Sequence, residues 1–400
     1  MMCVLRTSAL HLRKDNQNDR HLQLTKIKLG ANVRVDDEFT RIKEFWLAKV
    51  NVEGGFTIGG KKYQVELMVL DNDGDISKAE QNQKSLIEEH RVLATIGPDE
   101  SSLAIPTAAL SNERKTVMIS AESTNPATTQ NQSYVFRASV LKSFEGTMVA
   151  KLVSTRYGIT KAAVIYQCGD RDSEELANSF KEAWQQKYGE IVFYECIGIP
   201  DCSLQLDFES VSSIIHRLAE TSAEVLFLPT NELLSYSLID TAKSNPKWTN
   251  GLTNQESRTQ SSLIGRLIIG GDHIFDTSYL FESCRTACEG VLAVETISSS
   301  EITKAFVADF GKMFNGTVVS DDEALMYDSF GLLKSAIERC AVTGDLSLDR
   351  ECVRNSLSST KGYRGISGDI TFSGRGDPTK CVNFITVIKG EHVSVAQSCP

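Results

Sequence analysis

No stretch of about 18 consecutive apolar residues, the minimum for a membrane-crossing helix, occurs in the 400-residue chain. Basic residues are outnumbered, 42 against 52 acidic, for a net charge of −10; a nucleic-acid partner would call for a basic face instead. Histidine is scarce, with six residues (His11, His21, His90, His216, His273, His392), and only His273 falls at an expected strand end near other polar groups. No Gly-x-Ser-x-Gly elbow, phosphate loop or His-Glu-x-x-His is present. A Ser101–His273–Asp272 triad fails because Asp272 and His273 are sequence neighbours and point apart. The reading is therefore a binding protein, with no enzyme activity, no cofactor and no metal. The ten cysteines also lack metal spacing. Cys284 and Cys288 would share a helix face and give half a site at most. Cys340 with Cys352, Cys196 with Cys202, and Cys381 with Cys399 each bracket a short segment. They are disulfides if the compartment is oxidising, or partly buried free thiols. Residues 1–25 hold no apolar run long enough for a signal-peptide core, so no export signal is expected in the chain as written and this segment reads as disordered.

What is present is an alternation of strand and helix over most of the length. Lys26 to Val33 reads as a strand, and Asp37 to Val50 as a helix with apolar residues at Phe39, Ile42, Phe45 and Trp46. Tyr63 to Leu70 is a strand and Ser77 to Glu89 a helix. The same pattern runs through Val92–Ile96, Leu103–Ser111, Thr116–Ser120, Phe144–Tyr157, Ala162–Tyr166, Ser173–Tyr188, Ile191–Cys196, Phe208–Glu220, Val225–Leu228, Glu232–Ser244 and Leu267–Gly270. Asn245 to Arg266 is polar and reads as a surface loop. The tail adds helices at Lys304–Phe314, Asp322–Cys340 and Leu348–Leu357, then a strand pair, Gly368–Phe372 with Val382–Ile388. Such alternation implies α/β architecture with parallel sheets covered on both faces. The length suits two cores rather than one.

Two strands end abruptly in hydroxyl residues: Thr95-Ile96-Gly97-Pro98-Asp99-Glu100-Ser101-Ser102, and Val117-Met118-Ile119-Ser120-Ala121-Glu122-Ser123-Thr124-Asn125-Pro126. Ligands of doubly wound sheets sit at the carboxyl ends of strands, so Ser101 and Thr124 offer hydroxyls and backbone N–H groups to one anionic group. On the residues alone, Ser101 could equally cap the helix that follows, Thr124 could be a turn residue, and Asp272 a solvated loop acid.

The order of further landmarks carries a resemblance. Val52-Glu53-Gly54-Gly55-Phe56 closes the first helix; Tyr134-Val135-Phe136-Arg137, Val164-Ile165-Tyr166, Gly270-Gly271-Asp272 and Tyr327-Asp328 follow. Gly362-Tyr363-Arg364-Gly365-Ile366-Ser367-Gly368, Ile370-Thr371-Phe372 and Gly376-Asp377-Pro378 complete the series. In this order the chain resembles, from about Lys26 to Val395, the type I periplasmic solute-binding proteins, in particular the branched-chain amino-acid (Leu/Ile/Val) binding family of ABC importers. The resemblance implies two doubly wound parallel-sheet lobes joined by a three-strand hinge: residues 26–142 plus 296–365 as lobe 1, and 143–295 plus 366–396 as lobe 2. It implies a monomeric receptor, periplasmic or extracellular, that closes on a small amino acid or related carboxylate or amide and delivers it to ABC transporter membrane subunits. A ligand-sensing domain of a receptor or regulator is the alternative.

Carried over residue by residue, the resemblance gives Ser101 the ligand carboxylate. Thr124 takes both ends of the ligand, the Glu122 carbonyl its ammonium, and Asp272 the ammonium from the other lobe. A zwitterion leaving water needs a partner for each charge. The sequence departs from the family in a shorter loop after the first strand, in Glu122 where a small residue is usual, and in lacking an aromatic near Pro229-Thr230-Asn231-Glu232 and a Tyr-Gly pair near Asp170-Arg171-Asp172. These changes make the pocket more polar than a leucine site, and a pair of lobes that binds nothing is the remaining possibility.

Overall fold

The computed structural model describes residues 26–198, 208–249, 266–272, 274, 284 and 286–400. The expected disordered segment 1–25, His273, Cys202 and most of the expected 245–266 loop lie outside the described residues. The chain divides into two units: residues 1–139, 326–363 and 371–378 form one, and 140–325, 364–370 and 379–400 the other. Residues 296–325 thus group with the second unit.

In the first unit the strands are β1 (Lys26–Val33), β2 (Phe56–Ile58), β3 (Lys61–Asp71), β4 (Ala94–Ile96), β5 (Val117–Ser120) and β6 (Val135–Arg137), joined by helices α1 (Asp37–Val52), α2 (Ile76–Glu88) and α3 (Ser101–Glu113). The sheet order is β2-β3-β1-β4-β5-β6. It is parallel except for β2, which pairs antiparallel with β3. Gly59 and Gly60 have φ of 54° and 78°, the conformation that a two-residue hairpin demands at both central positions. The helices start where the sequence supplies caps: Asp36 accepts from Phe39 N at 2.8 Å and Asp75 from Lys78 N at 2.7 Å. Trp46 of α1 stacks on Phe330, ring centroids 4.4 Å apart. A buried polar knot lies behind β4: Gln83 donates to Thr95 Oγ1 at 2.9 Å and to Ser111 Oγ at 2.7 Å, fixing α2 and α3 against the strand.

The second unit carries β7 (Lys161–Gln167), β8 (Glu190–Ile197), β9 (Val225–Leu228), β10 (Leu267–Gly270) and β11 (Leu292–Glu295). Its helices are α4 (Lys142–Tyr157), α5 (Arg171–Lys187), α6 (Phe208–Ala219), α7 (Glu232–Ser244), the short α8 (Pro246–Thr249) and α9 (Glu301–Met313). Helices α10 (Asp321–Glu338) and α11 (Leu346–Ser358) come next. Strands β12 (Tyr363–Gly365), β13 (Gly368–Phe372), β14 (Pro378–Thr379), β15 (Val382–Ile388) and β16 (Glu391–Ser398) end the chain. The second sheet runs β16-β15-β11-β10-β9-β7-β8, and β12-β13-β14 form a small sheet of their own. Alternation along the central strands makes two cores. Leu226, Leu228, Ile165 and Ile268 face α6 and α7, whereas Val225, Phe227, Val164 and Ile269 face α4 and α5, where Phe180 and Trp184 stack. This is the pattern of a sheet buried on both sides.

One expectation changes, and two elements are added. The tail strands Gly368–Phe372 and Val382–Ile388 do not pair with each other: they lie in different sheets, and β15 pairs antiparallel with β11 and β16. The β15–β16 hairpin turns on Lys389 and Gly390, φ 55° and 73°, a turn that the sequence reading overlooked. Strand β11 lies outside the expected elements as well.

Cysteines pair as Cys168–Cys196, Cys284–Cys288, Cys340–Cys352 and Cys381–Cys399. Cys196 therefore bonds to Cys168, not Cys202, since parallel β7 and β8 bring strand-end residues together that are far apart in sequence. Cys284 and Cys288 hold each other rather than half a metal site. Cys340–Cys352 closes the α10–α11 connection. A Cys340→Ser/Cys352→Ser double variant is expected to lose about 2–4 kcal/mol of stability, chiefly through the looser unfolded chain, as read by urea denaturation; an unchanged midpoint would refute this.

Candidate functional site

Strands β4 and β5 pair in parallel, Thr95 opposite Met118 and Ile96 opposite Ile119, so their carboxyl ends finish side by side. Gly97 follows β4 with φ of 76°, and a Cβ there would lie 2.4 Å from the Asn32 carbonyl; only glycine fits. Ser120, the last residue of β5, locks the two loops together: its hydroxyl donates to Pro98 O at 2.7 Å and accepts from Ser123 N at 3.3 Å.

On this base sits a cluster of hydroxyls. Ser101 Oγ lies 3.0 Å from Ser123 Oγ, which in turn lies 2.7 Å from Thr128 Oγ1. Ser101 is the first residue of α3 and does not cap it; the cap position belongs to Glu100, which makes no side-chain capping bond. The amino end of α3 thus keeps its partial positive charge and unspent N–H groups next to Ser101. Thr124 is half-buried in the neighbouring loop, and its hydroxyl takes part in no hydrogen bond among the described residues. Glu122 is likewise half-buried in the same loop. The structure therefore gathers Ser101, Glu122 and Thr124 at one pair of strand ends, with Ser123 rather than Thr124 touching Ser101. Hydroxyls and a helix amino end make a cradle suited to a carboxylate.

The loop 121–129 is held from beneath by Arg137, a fully buried residue of β6. Its guanidinium donates to the carbonyls of Ser123 and Asn125 (2.7 Å for the latter), to Thr129 Oγ1 at 2.9 Å and to Asp377 Oδ1 at 2.7 Å. Ser139 Oγ adds a second donor to the Ser123 carbonyl at 2.9 Å. By gripping the carbonyls of Ser123 and Asn125, Arg137 sets where Ser123 and Thr124 stand. The sequence signal was available, an arginine inside the apolar run Val135-Phe136-Arg137-Ala138, but its targets are loop carbonyls that no spacing rule identifies.

Asp272 belongs to the second unit, in the turn after β10. It forms an ion pair with Lys142 Nζ, and Glu145 Oε2 lies 3.6 Å from the same ammonium. Lys142 and Glu145 are 2% and 1% exposed, while the Asp272 side chain keeps 17% of its surface, so Asp272 is the open edge of the cluster. Burial by itself would depress the Lys142 pKa; the charges of Asp272 and Glu145 outweigh it and raise the pKa above its ordinary value. The lysine is thus a fixed cation. Lys142 was not foreseen from sequence, since its acidic partners come from the next helical turn and from another strand.

Two positions where the sequence departs from the family serve the scaffold. Asp170 caps α5 and Asn231 caps α7, accepting from Ser173 N at 2.8 Å and Leu234 N at 2.9 Å.

Residues 59–382 match the family described as receptor family ligand binding region. The chain belongs to that family. Its fold is the type I periplasmic-binding-protein fold, with two lobes and sheets that are mostly parallel, and the resemblance to the branched-chain amino-acid binding proteins holds at this level. Among solved structures, a putative branched-chain amino acid ABC transporter protein from Rhodospirillum rubrum matches with a TM-score of 0.75 at 18% identity, covering 92% of this chain and all of that one. The branched-chain amino acid transporter substrate-binding protein LivJ from Streptococcus pneumoniae, in complex with isoleucine, matches at 0.70 and 20% over 94% of this chain and 99% of its own. A solute-binding protein of an ABC transporter from R. palustris, in complex with benzoate, matches at 0.68 and 17% over 94% and 97%. The family and these neighbours are binding proteins rather than enzymes. Among the described residues, no helix is long and apolar enough to cross a membrane.

Proposed function

We propose that the chain is a receptor for a small amino acid or related carboxylate or amide, which it takes up by hinge closure and passes to the membrane subunits of an ABC importer, acting as a monomer and without catalysis. The observation that carries this reading is the hydroxyl contact of Ser101, at the uncapped start of α3, with Ser123 in the loop that also holds Thr124. In this reading Ser101 and Thr124 take the ligand carboxylate. The Glu122 carbonyl and Asp272 take its ammonium. Asp272 is the most exposed member of the Lys142–Glu145–Asp272 cluster, so it is the one that a ligand ammonium would meet. Closure is driven by contacts that exist only in the closed state. Four disulfides support a periplasmic or extracellular setting, since such bonds persist in oxidising compartments. The family description, a receptor ligand-binding region, favours a second reading in which the same site senses rather than transports; recovery of importer subunits or of a signalling partner separates the two.

The test is calorimetry over a panel of amino acids, amides and small acids. Ser101→Ala is expected to weaken every carboxylate ligand by about tenfold or more, a charge-assisted hydrogen bond contributing about 1.5–3 kcal/mol. Asp272→Asn is expected to weaken amino ligands by a similar factor and to spare acids without an amine; it is a milder probe than Asp272→Ala, because the amide can still accept from Lys142. Unchanged affinity in either variant removes that residue from the site.

A further inference from the structure

We propose that Asn131 and Asn315 are attachment sites for N-linked oligosaccharide. The chain contains two Asn-x-Ser/Thr sequons, Asn131-Gln132-Ser133 and Asn315-Gly316-Thr317. A sequon by itself is common and decides little; the structure adds three independent observations.

Both asparagines are exposed and sit in turns, with φ of 61° and 54°, where an amide side chain projects clear of the surface and no ladder or helix hydrogen bond must break to admit an enzyme. The second observation is covalent. Eight cysteines form four disulfides, which fit folding in an oxidising compartment; the proposal rests on the second, receptor reading, in which that compartment is the endoplasmic reticulum lumen where sequons are modified.

The third observation is where the two asparagines lie. Strand β6 is parallel to β5, so the chain reaching its start is at the amino edge of the first sheet. There Asn112, near the end of α3, accepts from Ser133 Oγ at 3.3 Å and from Tyr134 N at 3.2 Å. Asn131 is therefore at the sheet edge opposite the Ser101–Ser123 cradle. Helix α9 starts just past the carboxyl end of β11 and runs for 13 residues, about 20 Å at 1.5 Å per residue, before Asn315. A glycan at either position is remote from the strand ends in its own unit. At Asn315 it would also cover Met313 and Val318, apolar side chains left 45% and 75% exposed.

The step is a glycosyl transfer without redox change. Nδ2 of the asparagine displaces the diphosphate of a lipid-diphosphate-linked oligosaccharide at the anomeric carbon. The N–C bond forms as the C–O bond to phosphate breaks, one amide proton is lost to base, and the lipid diphosphate leaves.

The experiment is peptide mapping of the protein isolated from its own source cells, treated with peptide N-glycosidase in heavy-oxygen water, in which each released glycan converts its asparagine to labelled aspartate. Conversion at both Asn131 and Asn315 is expected. In parallel, the full chain directed to the secretory pathway of a eukaryotic cell is expected to lose mass in two steps on glycosidase treatment. Ser133→Ala and Thr317→Ala, which keep the asparagines, each remove one step, and Asn131→Gln and Asn315→Gln reproduce them. Unmodified asparagines in the source protein, the result for a bacterial periplasmic protein, overturn the proposal. A single converted site overturns it for the other, and a mass indifferent to glycosidase in a fully oxidised secreted chain overturns it for both.

Discussion

Arg137→Met is expected to lower the stability of the protein by about 3–5 kcal/mol, the range found when one partner of a buried ion pair is removed, and to abolish carboxylate binding in whatever molecules remain folded. The guanidinium has no exposed surface and serves four acceptors at once. Methionine fills much of the volume but donates nothing, so the Ser123 carbonyl keeps the Ser139 hydroxyl and the Asn125 carbonyl keeps the Thr128 N–H, each losing its charged donor. Asp377 loses its cation, a smaller loss because that carboxylate is 33% exposed. Around Ser123, loop 121–129 then keeps weaker, uncharged bonds to Ser101, Ser120 and Ser139. Denaturant unfolding measures the first effect and calorimetry the second. Arg137→Lys distinguishes charge from shape: one ammonium cannot span two carbonyls, a hydroxyl and a carboxylate, so lysine recovers little. Full binding by the lysine variant would show that the loop does not depend on Arg137.

The second large effect is expected at Lys142. Lys142→Met leaves Glu145, which is almost wholly buried, and Asp272 without their shared cation, and costs about 3–5 kcal/mol near neutral pH. The loss shrinks as pH falls, because protonation removes the stranded negative charge. A compensating change should restore part of the stability: Lys142→Met/Glu145→Gln removes the almost wholly buried charge and leaves only Asp272, whose side chain is 17% exposed, without the lysine. If the double variant is as unstable as the single one, the charges are not what matters there. In the unsubstituted protein the sign runs the other way. The folded-state pKa of Lys142 lies above its unfolded value of 10.5, so its contribution is complete below that pH and is lost only as pH rises beyond it. Neutral and acidic conditions leave the lysine charged throughout.

Much of the scaffold was legible because its signals are local. The apolar spacing of Phe39, Ile42, Phe45 and Trp46 marked the first helix, and short apolar strands marked the central sheet. What escaped was short or non-local. Strand β11 takes its identity from its neighbours β10 and β15. The separation of β13 from β15 depends on which sheet each joins, which no property of either segment records. Cys168–Cys196 required the parallel pairing of β7 and β8.

The candidate site divides in the same way. Ser101, Glu122, Thr124 and Asp272 could be proposed from strand ends and resemblance, because a carboxyl strand end followed by hydroxyls is a pattern within ten residues of chain. Ser123 as the contact of Ser101, Arg137 as the support of the loop and Lys142 as the counter-ion of Asp272 could not, because each is defined by atoms brought from a different strand or turn. By itself the sequence determined the alternation of strands and helices, since this follows from side-chain period over a few residues, and it proposed positions where a ligand could be met. Only the tertiary structure decided which charges neutralise one another and which carbonyls share a guanidinium, since Coulomb and hydrogen-bond energies depend on distance in space and not on distance along the chain.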